Sequence, residues 1–460
     1  MVQFDEKVYG ASKAKIEAIF DLGTFVELGA YTKRPDSQKD FEGVVCGYGS
    51  VNGKLAFAFV QDSSRTKGAF GERHAKKICD TYALAVKNGA PVIGVFDSAG
   101  AVVYDGASAL AAYGKVMKCV SDASGVIPQI AVVDGVCGGM SAVVASMFDL
   151  TVTIKGASKL FVNAPFTVGN DTGSAEYAAE KGLAAYVADT AQCAYAKVRE
   201  LITVLPQNNA DACLMETADV LNRDSVFSPE AYTAQELVAA VADNGSVVRL
   251  FENYTQNAYL GIATFGGVVS GFVASEPKNG GVLDIKSARA IAKLVSFCDS
   301  FGMPVVTLVD SCGLDVSASA EDSAYASELA RLAYAYTSAD NAKVTAVIGK
   351  AYGAAFTLLG SKAVGADMVY ALPTAAISVL SPEASVAFVW NDKVGAEMSR
   401  AELEAEWKEK CASAADAADR GEIDDIVDAN ELRKRICAAL MMLATKADGK
   451  PARRHANMPL

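Results

Sequence analysis

Histidine is scarce in this sequence, which has only His74 and His455 among its 460 residues. A Ser-His-Asp triad depends on a well placed histidine, and zinc sites draw several ligands from His and Cys. The ten cysteines form no Cys-x-x-Cys pair, so we interpret them as reduced thiols of the core. Neither a Gly-x-Gly-x-x-Gly fingerprint nor a Walker loop occurs. These absences argue against a histidine-dependent hydrolase, a metal centre and a nucleotide-binding enzyme.

Basic residues are also in deficit. Only 21% of the residues are charged, and 54 acidic side chains outnumber 42 basic ones, for a net charge of −12. Such a chain repels nucleic acid and anionic lipid, so no nucleic-acid partner is expected. No apolar run reaches the roughly 18 residues of a membrane helix, and the N-terminus lacks the basic and apolar regions of a signal peptide. We therefore expect a cytoplasmic protein.

What the sequence does contain is a duplicated pattern of strands. The apolar runs 91–98 and 304–311 both begin with Pro and end in Asp-Ser, and the two serines are 213 residues apart. A second apolar strand follows in each half and leads into small residues, at 135–139 and 351–355. Apolar runs of this length are typical of buried parallel strands.

The segments between these strands predict helices, at 72–87 and 286–301 for example, so each half is an α/β unit. The polar segment 206–244 has no counterpart elsewhere and is expected to join the halves. We therefore predict two domains, residues 1–225 and residues 226–460.

The small residues suggest a particular chemistry. A strand that runs through Gly-Gly or Ala-Ala into a helix leaves first-turn N–H groups unpaired at the positive end of the helix dipole. Side chains this small let a substrate carbonyl approach two backbone amides closely. Close packing of helix against sheet would explain a single Gly-Gly equally well, but the same feature in both halves favours an oxyanion-binding role.

Asp97 and Asp310 occupy corresponding positions near the ends of the repeated strands. Either could act as an acid or base. An Asp followed by Ser at the end of a strand more commonly caps the next helix, and we favour that interpretation.

Motifs along nearly the whole chain resemble the carboxyltransferase subunits of biotin-dependent acyl-CoA carboxylases and decarboxylases, the family of propionyl-CoA carboxylase β and methylmalonyl-CoA decarboxylase α chains. The motifs that carry the resemblance lie at 23–28, 59–62, 124–130, 205–209, 282–285, 297–299, 350–355, 365–367 and 381–383. The resemblance implies two tandem crotonase-like domains of the ClpP/crotonase spiral type, with acyl-CoA on the N-terminal half and biotin on the C-terminal half.

The resemblance also implies the site residues. The amides of Gly138 and Gly139 would form one catalytic oxyanion pair, and those of Ala354 and Ala355 the other. Which pair binds the thioester and which the biotin ureido oxygen is left open. The remaining positions assigned to substrate or cofactor binding are Gly100, Ala101, Tyr352, Phe356 and Thr357. No metal is expected.

The implied reaction is transfer of a carboxyl group between carboxybiotin and the α-carbon of an acyl-CoA, with propionyl-CoA or methylmalonyl-CoA as the expected substrate. It needs no side-chain base, because a biotin ring nitrogen takes the α-proton and both intermediates are anions on oxygen. The implied partners are a biotin carboxyl carrier protein, a biotin carboxylase or a membrane decarboxylase subunit, and further copies of this chain in a hexamer built as a trimer of dimers.

Two departures from the family pattern bear on the substrate. Val102 stands where the family commonly has arginine, and Thr357 stands where propionyl-type members tend to have aspartate. Two alternatives to carboxyl transfer are another crotonase-type activity, such as a hydratase or isomerase, and a non-catalytic scaffold for a carboxylase. The direction of the reaction, carboxylating or decarboxylating, is also left open.

Overall fold

The computed structural model describes residues 12–34, 41–170, 172–395, 398–447 and 457. The chain divides into two compact units, residues 1–212 and 213–460. The prediction placed the junction at 225/226. Residues just after 212 pair with a strand of the second unit, since the Met215 N–H donates to Gly267 O and the Val269 N–H donates to Cys213 O, both at 2.8 Å.

Strands of the first unit form one sheet, ordered β1-β2-β3-β4-β5-β6-β8, with β7 paired to the far end of β5. The contacts β1-β2 and β2-β3 are antiparallel and the others are parallel. These strands are β1 Val26–Leu28, β2 Val44–Val51, β3 Lys54–Gln61, β4 Val92–Ser98, β5 Gln129–Gly138, β6 Leu150–Ile154, β7 Lys159–Phe161 and β8 Tyr186–Ala188.

The second unit repeats this sheet, ordered β16-β14-β13-β12-β11-β10-β9, with β15 paired to β13. Its antiparallel contacts are β9-β10 and β10-β11. These strands are β9 Val248–Leu250, β10 Ala258–Phe265, β11 Val268–Ser275, β12 Val305–Ser311, β13 Lys343–Tyr352, β14 Met368–Ala371, β15 Ala376–Ser378 and β16 Asp425–Ile426.

Helices connect the parallel strands in both units, as the α/β prediction requires. The α-helices of the first unit are Ser12–Ile19, Glu72–Asn88, Ala107–Ala123, Met140–Ser146, Pro165–Val168, Ala175–Glu180 and Ala191–Val204. Those of the second are Ala234–Val241, Ile285–Ser300, Ala318–Asp322, Tyr325–Ser338, Ala354–Leu358, Pro382–Val389, Arg400–Cys411, Ala414–Asp419 and Leu432–Met442. Among the described residues, no helix has both the length and the apolar character needed to cross a bilayer.

The central strands are buried along their length, which is why they read as apolar runs in the sequence. In the first unit the rings of Phe59, Phe96 and Phe148 pack edge to face, with centroids 5.4–6.3 Å apart. In the second unit Tyr259 stacks on Phe272 at 5.4 Å. Each unit thus has its own core.

A group of hydrogen bonds centred on a carboxylate stabilises the β2–β3 hairpin of the first unit. We call this group, formed by Asp21, Arg199 and the turn amides of Asn52 and Gly53, a clasp. The turn residues Asn52 and Gly53 both have positive φ, as a tight two-residue turn requires. Their N–H groups donate to the Asp21 carboxylate at 3.1 Å, and Arg199 donates to the same carboxylate at 2.7 Å.

The second unit has the same clasp on the β10–β11 hairpin. Gly266 and Gly267 have positive φ and donate to Asp243 at 2.8 Å, and Arg433 pairs with Asp243 at 2.5 Å. Arg433 is fully buried, whereas the Arg199 side chain is 25% exposed. The duplication therefore extends beyond the strands predicted from the sequence.

Candidate functional site

The candidate site of each half lies where two neighbouring parallel strands end. In the first half β4 and β5 run in register until β4 places the single residue Asp97 opposite a bulge in β5, after which Ser98 pairs with Cys137. The Asp97 carboxylate accepts the Val136 N–H at 3.3 Å, and a Cβ on Gly135 would lie 2.1 Å from that carboxylate. Glycine is therefore required in the bulge.

The second half repeats this bulge between β12 and β13. Asp310 accepts the Lys350 N–H at 2.8 Å, and a Cβ on Gly349 would lie 2.5 Å from its carboxyl group. The helix-capping role expected for Asp97 and Asp310 is wrong. The next helices are capped by Gly106, without a side-chain bond, and by Ser317.

A left-handed glycine ends β5 and begins the next helix. Gly139 has φ 60° and ψ −125°, and its N–H donates to Phe161 O of β7 at 2.9 Å. The Ala142 N–H donates back to Gly139 O at 3.1 Å. Within the described part of the chain, the N–H groups of Met140 and Ser141 have no hydrogen-bond acceptor and form the open first turn.

Gly353 makes the same turn in the second half. Its φ is 60° and its ψ −145°, and its N–H donates to Ser378 O of β15 at 2.9 Å. Phe356 donates to Gly353 O at 3.2 Å. Again among the described residues, the first-turn amides of Ala354 and Ala355 are left without an acceptor.

Comparison of the two turns replaces the first predicted pair of oxyanion-binding amides with the pair that follows the glycine of the turn. Gly139 corresponds to Gly353, so Met140 and Ser141 correspond to Ala354 and Ala355. The sequence prediction of Gly138 and Gly139 fails for Gly139, because its N–H is already bonded to Phe161 O. Gly138 belongs to β5 and packs against the Phe161 ring, which would lie 2.8 Å from an added Cβ.

A cavity of about 570 Å³ adjoins the loop after β4. Ala101 and Val102 line it, whereas Gly100 lies beside it in the same loop with φ 119°. Three cationic side chains, those of Arg34, Lys67 and Arg73, line the cavity together with three acidic ones, those of Glu42, Glu72 and Asp105.

A second cavity, of about 480 Å³, adjoins the turn of the second half. Ala354, Phe356 and Thr357 line it together with the ion-paired Arg420 and Asp416. The structure thus brings three of the predicted residues together at one cavity.

Two predicted residues of the second half, Tyr352 and Ala355, do not line that cavity. Ala355 is fully buried and Tyr352 is nearly so. Burial, reinforced by Glu383, raises the pKa of Tyr352 to about 12, so its phenol stays neutral at physiological pH. The Ala355 contribution to a site is therefore its backbone amide.

A buried hydroxyl pair beside the first turn was missed by sequence reasoning. Tyr113 Oη lies 3.0 Å from Ser141 Oγ, and both side chains are almost completely buried. Burial raises the pKa of Tyr113, although hydrogen bonds to Ser141 and Ser98 act in the opposite direction. A tyrosine on an apolar helix face carries no sequence signal that distinguishes it from a core residue.

His74 is buried behind the first cavity and does not line it. Its Nε2 lies 3.2 Å from Gln61 Nε2, and its Nδ1 lies 3.5 Å from Glu42 Oε1. Burial lowers the pKa of His74 more than Glu42 raises it, so the imidazole is neutral. His455 lies outside the described residues.

Comparison with known proteins gives a consistent family. A model of the carboxyl transferase domain matches residues 11–458. The chain is 32% identical to the carboxyltransferase subunit of propionyl-CoA carboxylase from Haloferax mediterranei and 32% identical to the α subunit of methylmalonyl-CoA decarboxylase from Veillonella parvula, in each case over 98% of this chain and 93% of the relative.

A solved structure of the transcarboxylase 12S hexamer, with methylmalonyl-coenzyme A and methylmalonic acid bound, superimposes with a TM-score of 0.91 and 30% identity. The match covers 97% of this chain and 92% of that one. The predicted fold, two tandem crotonase-like domains, is confirmed by this likeness, and so is the predicted enzyme class. The chain belongs to the carboxyl transferase domain family of biotin-dependent carboxyltransferases.

Proposed function

We propose that this protein transfers a carboxyl group between carboxybiotin, carried on a separate protein, and the α-carbon of propionyl-CoA or methylmalonyl-CoA. The observation that carries the proposal is the pair of first turns, one in each half, whose unpaired amides can each bind an oxyanion. Relatives that carboxylate propionyl-CoA and relatives that decarboxylate methylmalonyl-CoA support the substrate class.

The proposed donors are the amides of Met140 and Ser141 in the first half and those of Ala354 and Ala355 in the second. When bound, carboxybiotin supplies CO2 and a ring nitrogen that accepts the substrate α-proton. The chain itself holds negative charge on two oxygens, that of the thioester enolate and that of the ureido group. Preorganised amides suit both, since each such donor is worth about 3–4 kcal/mol in a transition state.

We assign acyl-CoA to the first half and biotin to the second. The first cavity adjoins Ala101 in the loop after β4, and its arginine and lysine side chains, beside three carboxylates in the same lining, can bind the phosphates of coenzyme A. The second cavity adjoins the Ala354 amide directly, and this amide can donate a hydrogen bond to the ureido oxygen of biotin. Thr357 lines this second cavity, so its replacement of aspartate would act on the shape and charge of that site.

The proposal includes a carrier protein, a biotin carboxylase or membrane decarboxylase partner, assembly as a hexamer, and a cytoplasmic location. We expect a hexamer because transcarboxylase 12S assembles as one. Light scattering of the purified chain tests it, and a mass corresponding to a monomer would contradict it.

Carboxyl exchange tests the reaction itself. Purified protein should move label from methylmalonyl-CoA to free biotin, because free biotin supplies the same ureido group as the carrier. A panel of malonyl-type thioesters of increasing acyl length would identify the preferred substrate. Hydration of an enoyl-CoA without any carboxyl exchange would favour a hydratase, and binding without turnover would favour a scaffold.

A further inference from the structure

Tyr113 contacts both segments of the first-half site from one buried position in helix Ala107–Ala123. Only 2% of its surface is exposed. Its ring stacks on Phe70, with centroids 4.1 Å apart and planes inclined by 12°. Its hydroxyl lies 3.0 Å from Ser141 Oγ, in the first turn of helix Met140–Ser146.

Phe70 in turn holds the loop that follows β4. The Phe70 N–H donates to Gly100 O, and the Val102 N–H donates to Phe70 O, both at 2.9 Å. Ala101, between these two bonds, lines the 570 Å³ cavity. The two ends of the Tyr113 side chain therefore reach the cavity wall through Phe70 and the amide-bearing turn through Ser141.

The second half lacks this double contact. Ala355 stands at the position of Ser141 and has no hydroxyl group. Leu283 stands at the position of Phe70, and its N–H donates to Gly313 O at 3.0 Å. A tyrosine hydroxyl, that of Tyr325, bonds to Leu283 O and accepts the Asp315 N–H, so it contacts the loop rather than the turn.

We propose that Tyr113 is a positioning residue for the first-half site, where it fixes the Met140 and Ser141 amides relative to the loop that lines the acyl-CoA cavity. The inference rests on the proposed function. Enolate formation depends on donors held within a fraction of an ångström of the developing oxyanion, so a displaced turn lowers the rate without weakening substrate binding.

Three variants test this role: Tyr113→Phe, Ser141→Ala and the two together. Each single change removes the hydroxyl contact and keeps the backbone amide. Each should lower kcat for carboxyl exchange about ten- to a hundredfold, with KM for acyl-CoA and for free biotin nearly unchanged. The double variant should be no slower than the slower single variant, because both changes break the same bond.

Two tyrosines provide matched controls. Tyr82 is also 2% exposed, belongs to the same core, and donates its hydroxyl to Gln129 Oε1 at 2.9 Å, at the start of β5 away from the turn. Tyr336 is fully buried in the second unit, and its hydroxyl lies 2.9 Å from Thr307 Oγ1. Tyr82→Phe and Tyr336→Phe should lower the melting temperature about as much as Tyr113→Phe and leave kcat within about twofold.

The possible outcomes are distinct. A fall in kcat confined to the Tyr113 and Ser141 variants, with non-additive effects, supports the positioning role. Equal kcat losses in the control variants, additive losses in the double variant, or a rise in KM alone would overturn it. If the unmodified protein performs no carboxyl exchange, the proposed function is overturned and the Tyr113 role with it. If the unmodified protein exchanges carboxyl groups and the Tyr113 and Ser141 variants do so equally fast, the Tyr113 role alone is overturned.

Discussion

In the first half the helix after the left-handed glycine begins with Met140 and Ser141, whereas in the second half it begins with Ala354 and Ala355. The backbones match, since both glycines have φ 60° and both donate their N–H to a neighbouring short strand. The side chains behind the turns differ, with a hydroxyl pair in one half and none at the matching position in the other. The backbone geometry of the amides is therefore the same in the two halves, whereas the side chains that pack behind the two turns differ.

The two hairpin clasps also make the same hydrogen bonds but differ in how deeply their residues are buried. Asp21 and Asp243 bind two turn amides and one arginine each. Arg199 remains partly exposed, but Arg433 is completely buried and also lies 3.5 Å from Asp219. A buried charge depends on its partners far more than an exposed one, so the two clasps should differ greatly in energy.

The largest expected effect comes from removing the two arginines. Arg433→Met leaves the Asp243 carboxylate buried without its cation, whereas Asp219 keeps its ion pair with Arg223 at 3.1 Å. The change should cost about 3–5 kcal/mol of unfolding free energy. Arg199→Met leaves Asp21 close to water, and should cost about 1 kcal/mol. Urea unfolding followed by circular dichroism measures both.

Arg435→Met is the matched control for the second unit. Arg435 lies in the same helix as Arg433, is 48% exposed, and pairs with Asp425 at 3.6 Å. Its loss should change the urea midpoint little. Equal losses of unfolding free energy in Arg433→Met and Arg199→Met would show that burial does not make one clasp more stabilising than the other.

The second prediction concerns the amides that the halves have in common. Proline fits the first position of a helix and removes its N–H. Met140→Pro and Ala354→Pro should therefore each lower kcat for carboxyl exchange about 10²- to 10³-fold, or about 3–4 kcal/mol.

Ala191→Pro and Ala318→Pro, at exposed first positions of other helices in each half, are the controls and should retain activity. Loss of activity in only one of the two site variants would show that only one half supplies an oxyanion hole. Full activity in both Met140→Pro and Ala354→Pro would show that these amides do not stabilise the transition state.

Sequence reasoning predicted the regular elements well. Runs 91–98 and 304–311 became β4 and β12, and the predicted helices at 72–87 and 286–301 are shifted by one residue at most. Such segments are determined by burial on both faces of a sheet and by helical periodicity, which are local properties of the sequence.

The site was harder to predict because it depends on long-range pairing. Aligning small residues matched Gly138 with Ala354, a separation of 216 residues, whereas the left-handed glycines Gly139 and Gly353 are 214 residues apart. Nothing local shows which glycine makes the turn. The role of Asp97 likewise depends on a bulge in β5, nearly forty residues away in the chain, so the more common helix-capping role was preferred.

The smallest expected effect is the acid sensitivity of the two clasps. Hydrogen bonds from Arg199 and then Ser50 lower the pKa of Asp21 well below its usual range. Burial would raise the pKa of Asp243, but hydrogen bonds from Arg433 and the turn amides lower it overall. A carboxyl whose pKa is lower in the folded state stabilises the fold above its unfolded pKa of about 4, and this stabilisation is lost as pH falls through the folded pKa.

Asp21→Asn should therefore cost about 1–2 kcal/mol near pH 7, where the native carboxylate accepts charged hydrogen bonds. Asp243→Asn should cost more, because it also leaves the buried Arg433 without its nearest carboxylate. The difference from the unmodified protein should shrink below about pH 4, because protonation removes the same charge that the substitution removes. Urea midpoints between pH 7 and pH 2 measure this, with Asp189→Asn, at an exposed carboxyl, as the control. A deficit that stays constant with pH would mean that the carboxylate charge does not hold the hairpins, and the clasps would then act through shape alone.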